Sequence, residues 1–161
     1  MIAPMETAAR RLVTFSFASF LLVLASGTVR GMGPVRAWLD GPELLRTAAL
    51  FHSHFDQLCW LGAAATGAAL WILRDAYHGA GWAPRLFTWS YPAGALLFSC
   101  AFLVKLFGLR LERVALSRVA FGALVSIGGA LLIVALVAGA AIAVGVLRAG
   151  PPRNEAAVRS G

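Results

Sequence analysis

Charge is what this chain has least of. Asp, Glu, Lys and Arg make up 13% of its 161 residues, against about 25% in a soluble domain. Hydrophobic residues reach 60%, against about 45–50%, more apolar surface than one small core can hide. An ordinary soluble domain is thereby excluded, and the lipid bilayer is the expected solvent. Cysteine is scarce too: Cys59 and Cys100 both lie inside apolar stretches. Nothing in their spacing supports a disulfide framework, a zinc site or a covalent haem attachment, and buried apolar roles are expected. Also missing are a phosphate-binding glycine loop, a nucleophile elbow and a metalloprotease helix motif. Soluble-type hydrolytic or transfer chemistry has no visible equipment, so enzymatic activity by this chain alone is not expected. The formal charge of +7 comes from arginines between long apolar runs. That pattern suits lipid headgroups and argues against nucleic acid.

What the chain has is apolar length. Crossing the hydrocarbon takes roughly 20 residues of helix, and four stretches qualify. The expected fold is all-α, an integral membrane bundle of four transmembrane helices over residues 12–29, 42–74, 86–108 and 119–147. They form a single membrane domain, residues 1–148, followed by a disordered polar tail, 149–161. In the second helix Asp40 is placed to cap, Pro42 suits the first turn, and Glu43 follows three residues after the cap. Gly31 to Leu39 reads as a loop broken by Gly33-Pro34. Gly79, Gly81 and Pro84 mark the turn between the second and third helices. Trp38, Trp82 and Trp89 sit where an interfacial aromatic belt belongs. Pro92 in the third helix is a candidate kink.

The first segment also has the layout of a signal peptide: Arg10-Arg11, an apolar run, then Ala25-Ser26-Gly27. The run reaches past Ala25 to Val29 and lacks a clean small-x-small site, so a retained helix is the expectation. With four spans both termini share a side. Arg10, Arg11, Arg74, Arg85, Arg148, Arg153 and Arg159 then oppose Arg30, Arg36, Arg46, Lys105, Arg110, Arg113 and Arg118, seven on each side. The positive-inside rule is balanced; the early Arg10 and Arg11 tip the expectation to cytoplasmic termini.

Polar groups at membrane depth demand a partner or a purpose. The richest run is His52-Ser53-His54-Phe55-Asp56-Gln57-Leu58-Cys59-Trp60, early in the second helix. In a regular helix His52, Asp56, Cys59 and Ala63 share one stripe, with Ser53, Gln57 and Trp60 beside it. His52 and His54 are about 200° apart, so they cannot share one metal unless the helix is irregular. Asp56 one turn from His52 is placed to fix the imidazole's tautomer, as for a metal-ligating histidine, or to form a plain buried polar pair. Lys105, near the end of the third helix, either pairs with Asp56 or snorkels to the interface. His78 belongs to the opposite membrane face and cannot join His52. Gly62, Gly67, Gly128, Gly129 and Gly139 are candidate sites of close helix packing.

The run from His52 to Gly62 resembles a stretch in small four-helix membrane proteins similar to subunit I of haem-copper (cytochrome c) oxidases. Those carry His-x-His, an apolar residue, then tryptophan and glycine at the start of the second helix. The resemblance covers about eleven residues and the helix layout. It implies that His52 or His54 is an axial ligand of haem b, or binds a transition metal, in an electron-transport assembly. Asp56-Gln57 departs from the usual apolar pattern, and the copper-site histidines have no counterpart. The other helices contain no histidine, so a haem would lie at a subunit interface. Three readings follow: an accessory or scaffold subunit of a larger membrane (respiratory or redox) assembly or homo-oligomer; a haem- or metal-binding membrane protein; and a proton- or ion-handling protein using Asp56.

Overall fold

A computed structural model describes residues 4–148. Every regular element among them is helical. The elements are α1 (Pro4–Gly31), α2 (Gly33–Trp38), α3 (Pro42–His54), a π-helical segment (Phe55–Gly62), α4 (Ala63–Leu73), a 3₁₀ turn (Arg74–Ala76), α5 (Trp82–Arg110) and α6 (Val114–Leu147). Three of them, α1, α5 and α6, are long and apolar enough to cross a membrane. The stretch expected as the second span is helical, formed by α3, the π segment and α4 in direct succession, with right-handed helical backbone at both junctions. The predicted tail, 149–161, lies outside the described residues.

The helices run past their apolar stretches because the flanking turns are stabilised by other means. α1 begins near Pro4, eight residues before the expected start at Leu12. Met5, Ala8 and Ala9 are buried there, and Arg10 pairs with Glu6 at 2.7 Å, one turn apart. Two local expectations are corrected. The stretch expected as a loop, Gly31 to Leu39, contains α2, because Pro34 in its first turn favours helix entry rather than breaking it. Asp40 does not cap α3. The cap position is Gly41, at φ 111°, a conformation that side-chain-bearing residues rarely adopt, and no side chain bonds the first turn. α5 continues through Pro92.

α1, the α3–π–α4 helix and α5 pack mutually, while α6 lies chiefly along α5, the most extensive helix pair in the fold. Adjacent long helices are antiparallel. One end of the molecule gathers the start of α1, the end of α4 and the 77–81 turn. The other gathers α2, the start of α3 and the end of α5.

Small residues set the closest approaches. A Cβ on Gly94 would meet the Gly128 carbonyl oxygen at 2.9 Å, and one on Gly128 would meet the Phe98 amide nitrogen at 2.7 Å. Gly67 brings α4 within contact of Val13 and Ala9, Gly62 stands against Tyr91, and Gly139 against the Phe87 ring. Gly129 is a correction: nothing lies within 4 Å of its Cβ position, because it points away from α5. At Gly94 and Gly128 the obstructing atoms are backbone, which cannot step aside. Gly128→Ala should therefore lower stability by about 1–3 kcal/mol, whereas Gly129→Ala should change it by less than about 0.5 kcal/mol. Denaturation of each variant in mixed micelles, followed by circular dichroism, checks both.

Candidate functional site

The site sits where α3 passes into the π segment. A π turn closes its hydrogen bonds one residue later than an α turn, and returning to α geometry leaves carbonyls in need of other donors. Neighbouring helices supply them. Ser16 of α1 donates to the Trp60 carbonyl at 3.1 Å, and Tyr91 of α5 donates to the Leu58 carbonyl at 2.9 Å. Within the helix, Thr66 donates to the Gly62 carbonyl at 2.7 Å. Phe20 packs on Trp60 with ring centroids 4.6 Å apart. Cys59 is fully buried with Sγ 3.9 Å from the Ser99 hydroxyl, and it and Cys100 are free thiols.

The two histidines face different helices. His52 points to α1, where Nδ1 lies 3.2 Å from the Ser26 hydroxyl. That hydroxyl's single proton goes to the Val23 carbonyl at 2.9 Å, so Ser26 accepts the bond and His52 Nδ1 donates it. His54 points to α5. Its ring stacks on Phe102 at 4.6 Å and lies near Phe98. Its Nδ1 is 2.7 Å from the Leu50 carbonyl, which can only accept. Both imidazoles thus carry a proton on Nδ1, and in the neutral form Nε2 holds the lone pair. A backbone carbonyl fixing that tautomer is how ligating histidines are commonly held.

The expected His52–Asp56 pairing is absent: no hydrogen bond or ion pair joins them, and His52 Nδ1 meets Ser26 of α1 instead. Lys105 does not pair with Asp56. Its Nζ lies 3.8 Å from Glu43, at the first turn of α3. Asp56 stands 13 residues beyond Glu43, about 20 Å along the axis, out of reach of Lys105. Among the described residues neither Asp56 nor Gln57 makes a hydrogen bond or ion pair with another side chain. Ser53 and Gln57 are exposed and Asp56 is half-buried. His78 lies in the 77–81 turn at the other end, as expected, and donates from Nδ1 to the Ala76 carbonyl at 3.1 Å.

Among the described residues no three His, Cys, Asp or Glu side chains converge as a metal site. His52 and His54 are offered in different directions, toward α1 and α5. A cavity of about 160 Å³ opens beside His52, bounded by Ser26, Arg30, Trp38 and Phe51.

Residue chemistry alone did not single out Ser16, Ser26 or Tyr91. The signal for the serines was present: Leu12, Ser16, Ser19, Val23 and Ser26 recur at four- and three-residue steps on α1, and the first four are buried. Tyr91→Phe and Ser16→Ala should each lower stability by about 1 kcal/mol by orphaning a carbonyl. Their double variant should cost more than either, as read from unfolding in mixed micelles. No change in either single variant would show that the π segment does not need these donors. No family model, curated protein or solved structure matches this chain.

Proposed function

We propose that the protein is a four-span integral membrane accessory subunit. In this reading the outward face of its second span, carrying Ser53, Asp56 and Gln57, joins it to a larger assembly. The observation that carries the reading is the depth of these groups. Glu43, paired with Lys105, and Arg74 bracket the α3–π–α4 helix. Asp56 lies 13 and 18 residues from them, about 20 and 27 Å. With a hydrocarbon layer of about 30 Å centred on that helix, Asp56 is roughly 10 Å below the headgroups. Exposed polar side chains at that depth are costly unless another protein covers them.

The face is shaped for a helix. Ala49, Ser53, Gln57, Leu61 and Ala65 are exposed at four-residue steps, and small residues at that spacing admit a close neighbour. At the two ends arginines lie over tryptophans, Arg10 and Arg74 over Trp71, Arg11 over Trp89, and Arg110 over Trp38. Aromatic belts with cationic neighbours suit a chain seated between two headgroup layers. Extraction in a mild detergent should yield a native mass well above that of one chain. The double substitution Asp56→Leu with Gln57→Leu should weaken the association about tenfold or more, two interhelical polar contacts being worth about 1–2 kcal/mol each. A wild-type chain that is monomeric in every mild detergent would overturn the reading.

The tautomers favour a second reading, in which the assembly is a redox one. His54, or His52, then gives Nε2 as one ligand to a haem b or transition metal, with the other ligands coming from a partner chain. The purified assembly would show a Soret band that His54→Ala or His52→Ala abolishes; a colourless, metal-free assembly would eliminate it.

A further inference from the structure

At the end of the molecule away from the histidine cluster, a cavity of about 550 Å³ opens between the 77–81 turn, α5 and the last turns of α6. Its rim carries Arg148, His78 and Trp82, and its wall on α6 is Ala140, Ala141 and Val144. The rim is held in shape. Tyr77 donates through its hydroxyl to the Ala80 carbonyl at 2.6 Å, folding the turn on itself. Gly145 lets that turn lie against α6, since a Cβ there would meet the Tyr77 ring at 2.6 Å. His78 Nδ1 is committed to the Ala76 carbonyl.

Charge bears on what this cavity holds. Both acidic residues described at this end are engaged by arginine, Glu6 by Arg10 and Asp75 by Arg74. Arg148 faces the cavity with no carboxylate partner among the described residues. The cavity at the opposite end that holds Lys105 and Arg118 also contains Glu43, so a carboxylate offsets part of its positive charge. An unpaired guanidinium over an apolar wall, flanked by an indole, suits an anionic amphiphile at the membrane surface. The volume falls within the roughly 300–1,000 Å³ range of small-molecule sites. His78 adds selectivity: with Nδ1 committed, Nε2 of the neutral form is an acceptor, which a phosphate oxygen cannot satisfy but a headgroup hydroxyl can.

We propose that this cavity binds an anionic phospholipid with a hydroxylated headgroup. Its phosphodiester pairs with Arg148, a headgroup hydroxyl donates to His78 Nε2, and an acyl chain lies along the Ala140–Val144 side of α6. The site is independent of whatever covers the Ser53–Gln57 face.

The test uses the full chain in a neutral maltoside detergent, with displacement of a fluorescent phosphatidylglycerol read by anisotropy. Phosphatidylglycerol should saturate a single site, and phosphatidylcholine should bind about tenfold more weakly or worse. Arg148→Gln should weaken binding about tenfold, the loss of one charge-assisted contact, while Arg148→Lys should keep most of it. Arg36→Gln, at the other end, should have no effect. Phosphatidylmethanol, with the same charge and no headgroup hydroxyl, should bind several-fold more weakly than phosphatidylglycerol, and His78→Ala should erase that difference. Equal binding of phosphatidylcholine, or indifference to Arg148→Gln, would overturn the proposal. So would displacement by inorganic phosphate at the same concentrations, which would make the site one for free phosphate. Equal binding of phosphatidylmethanol and phosphatidylglycerol to the unaltered chain would overturn the hydroxyl contact to His78.

Discussion

A backbone carbonyl released from a helix in an apolar surrounding needs a donor, and this fold supplies two of them from neighbouring helices. Ser16 reaches Trp60 from α1 and Tyr91 reaches Leu58 from α5. These bonds tie the π segment to both of its neighbours at the level where the three helices pack together. They also explain why a π segment is tolerated at a cost in helix regularity: its two leftover acceptors are used as cross-links. Gly62, set against Tyr91, leaves the space that brings that hydroxyl to the helix.

The consequences spread in both directions from that point. Toward the start of α3, His52 and His54 are held on opposite flanks, one by a serine of α1 and the other by its own helix and the phenylalanines of α5. Toward the outside, Ser53, Asp56 and Gln57 receive nothing from the chain itself. The contrast is chemical: the Leu58, Trp60 and Gly62 carbonyls each accept from a hydroxyl, while the outer face keeps a carboxylate and an amide free for another molecule. The proposed accessory role grows from this asymmetry.

The ends of the fold follow a different rule. There arginines lie over indoles, and the acids Glu6, Asp75 and Glu43 each sit beside a cation. Where a cation is left over, as at Arg148, the turn beside it is fixed by its own hydrogen bonds and glycines into a cavity rather than a flat surface.

Composition and run length were enough to determine that the regular structure of the described residues is helical and includes long apolar helices, because apolar segments of that length have few other ways to satisfy their backbone. Helical spacing alone also separated His52 from His54. It did not reveal the π segment, since a change from i+4 to i+5 bonding leaves no mark in residue type. Tertiary structure decided which acids meet which cations: Lys105 goes to Glu43 because α5 ends at the level where α3 begins, which no local pattern records. It decided too that Gly128 is a contact and Gly129 is not, since which of two adjacent glycines faces a neighbour depends on the rotation of α6 against α5. What a residue prefers is written in its own chemistry; what it meets depends on the phase and height of helices distant in sequence.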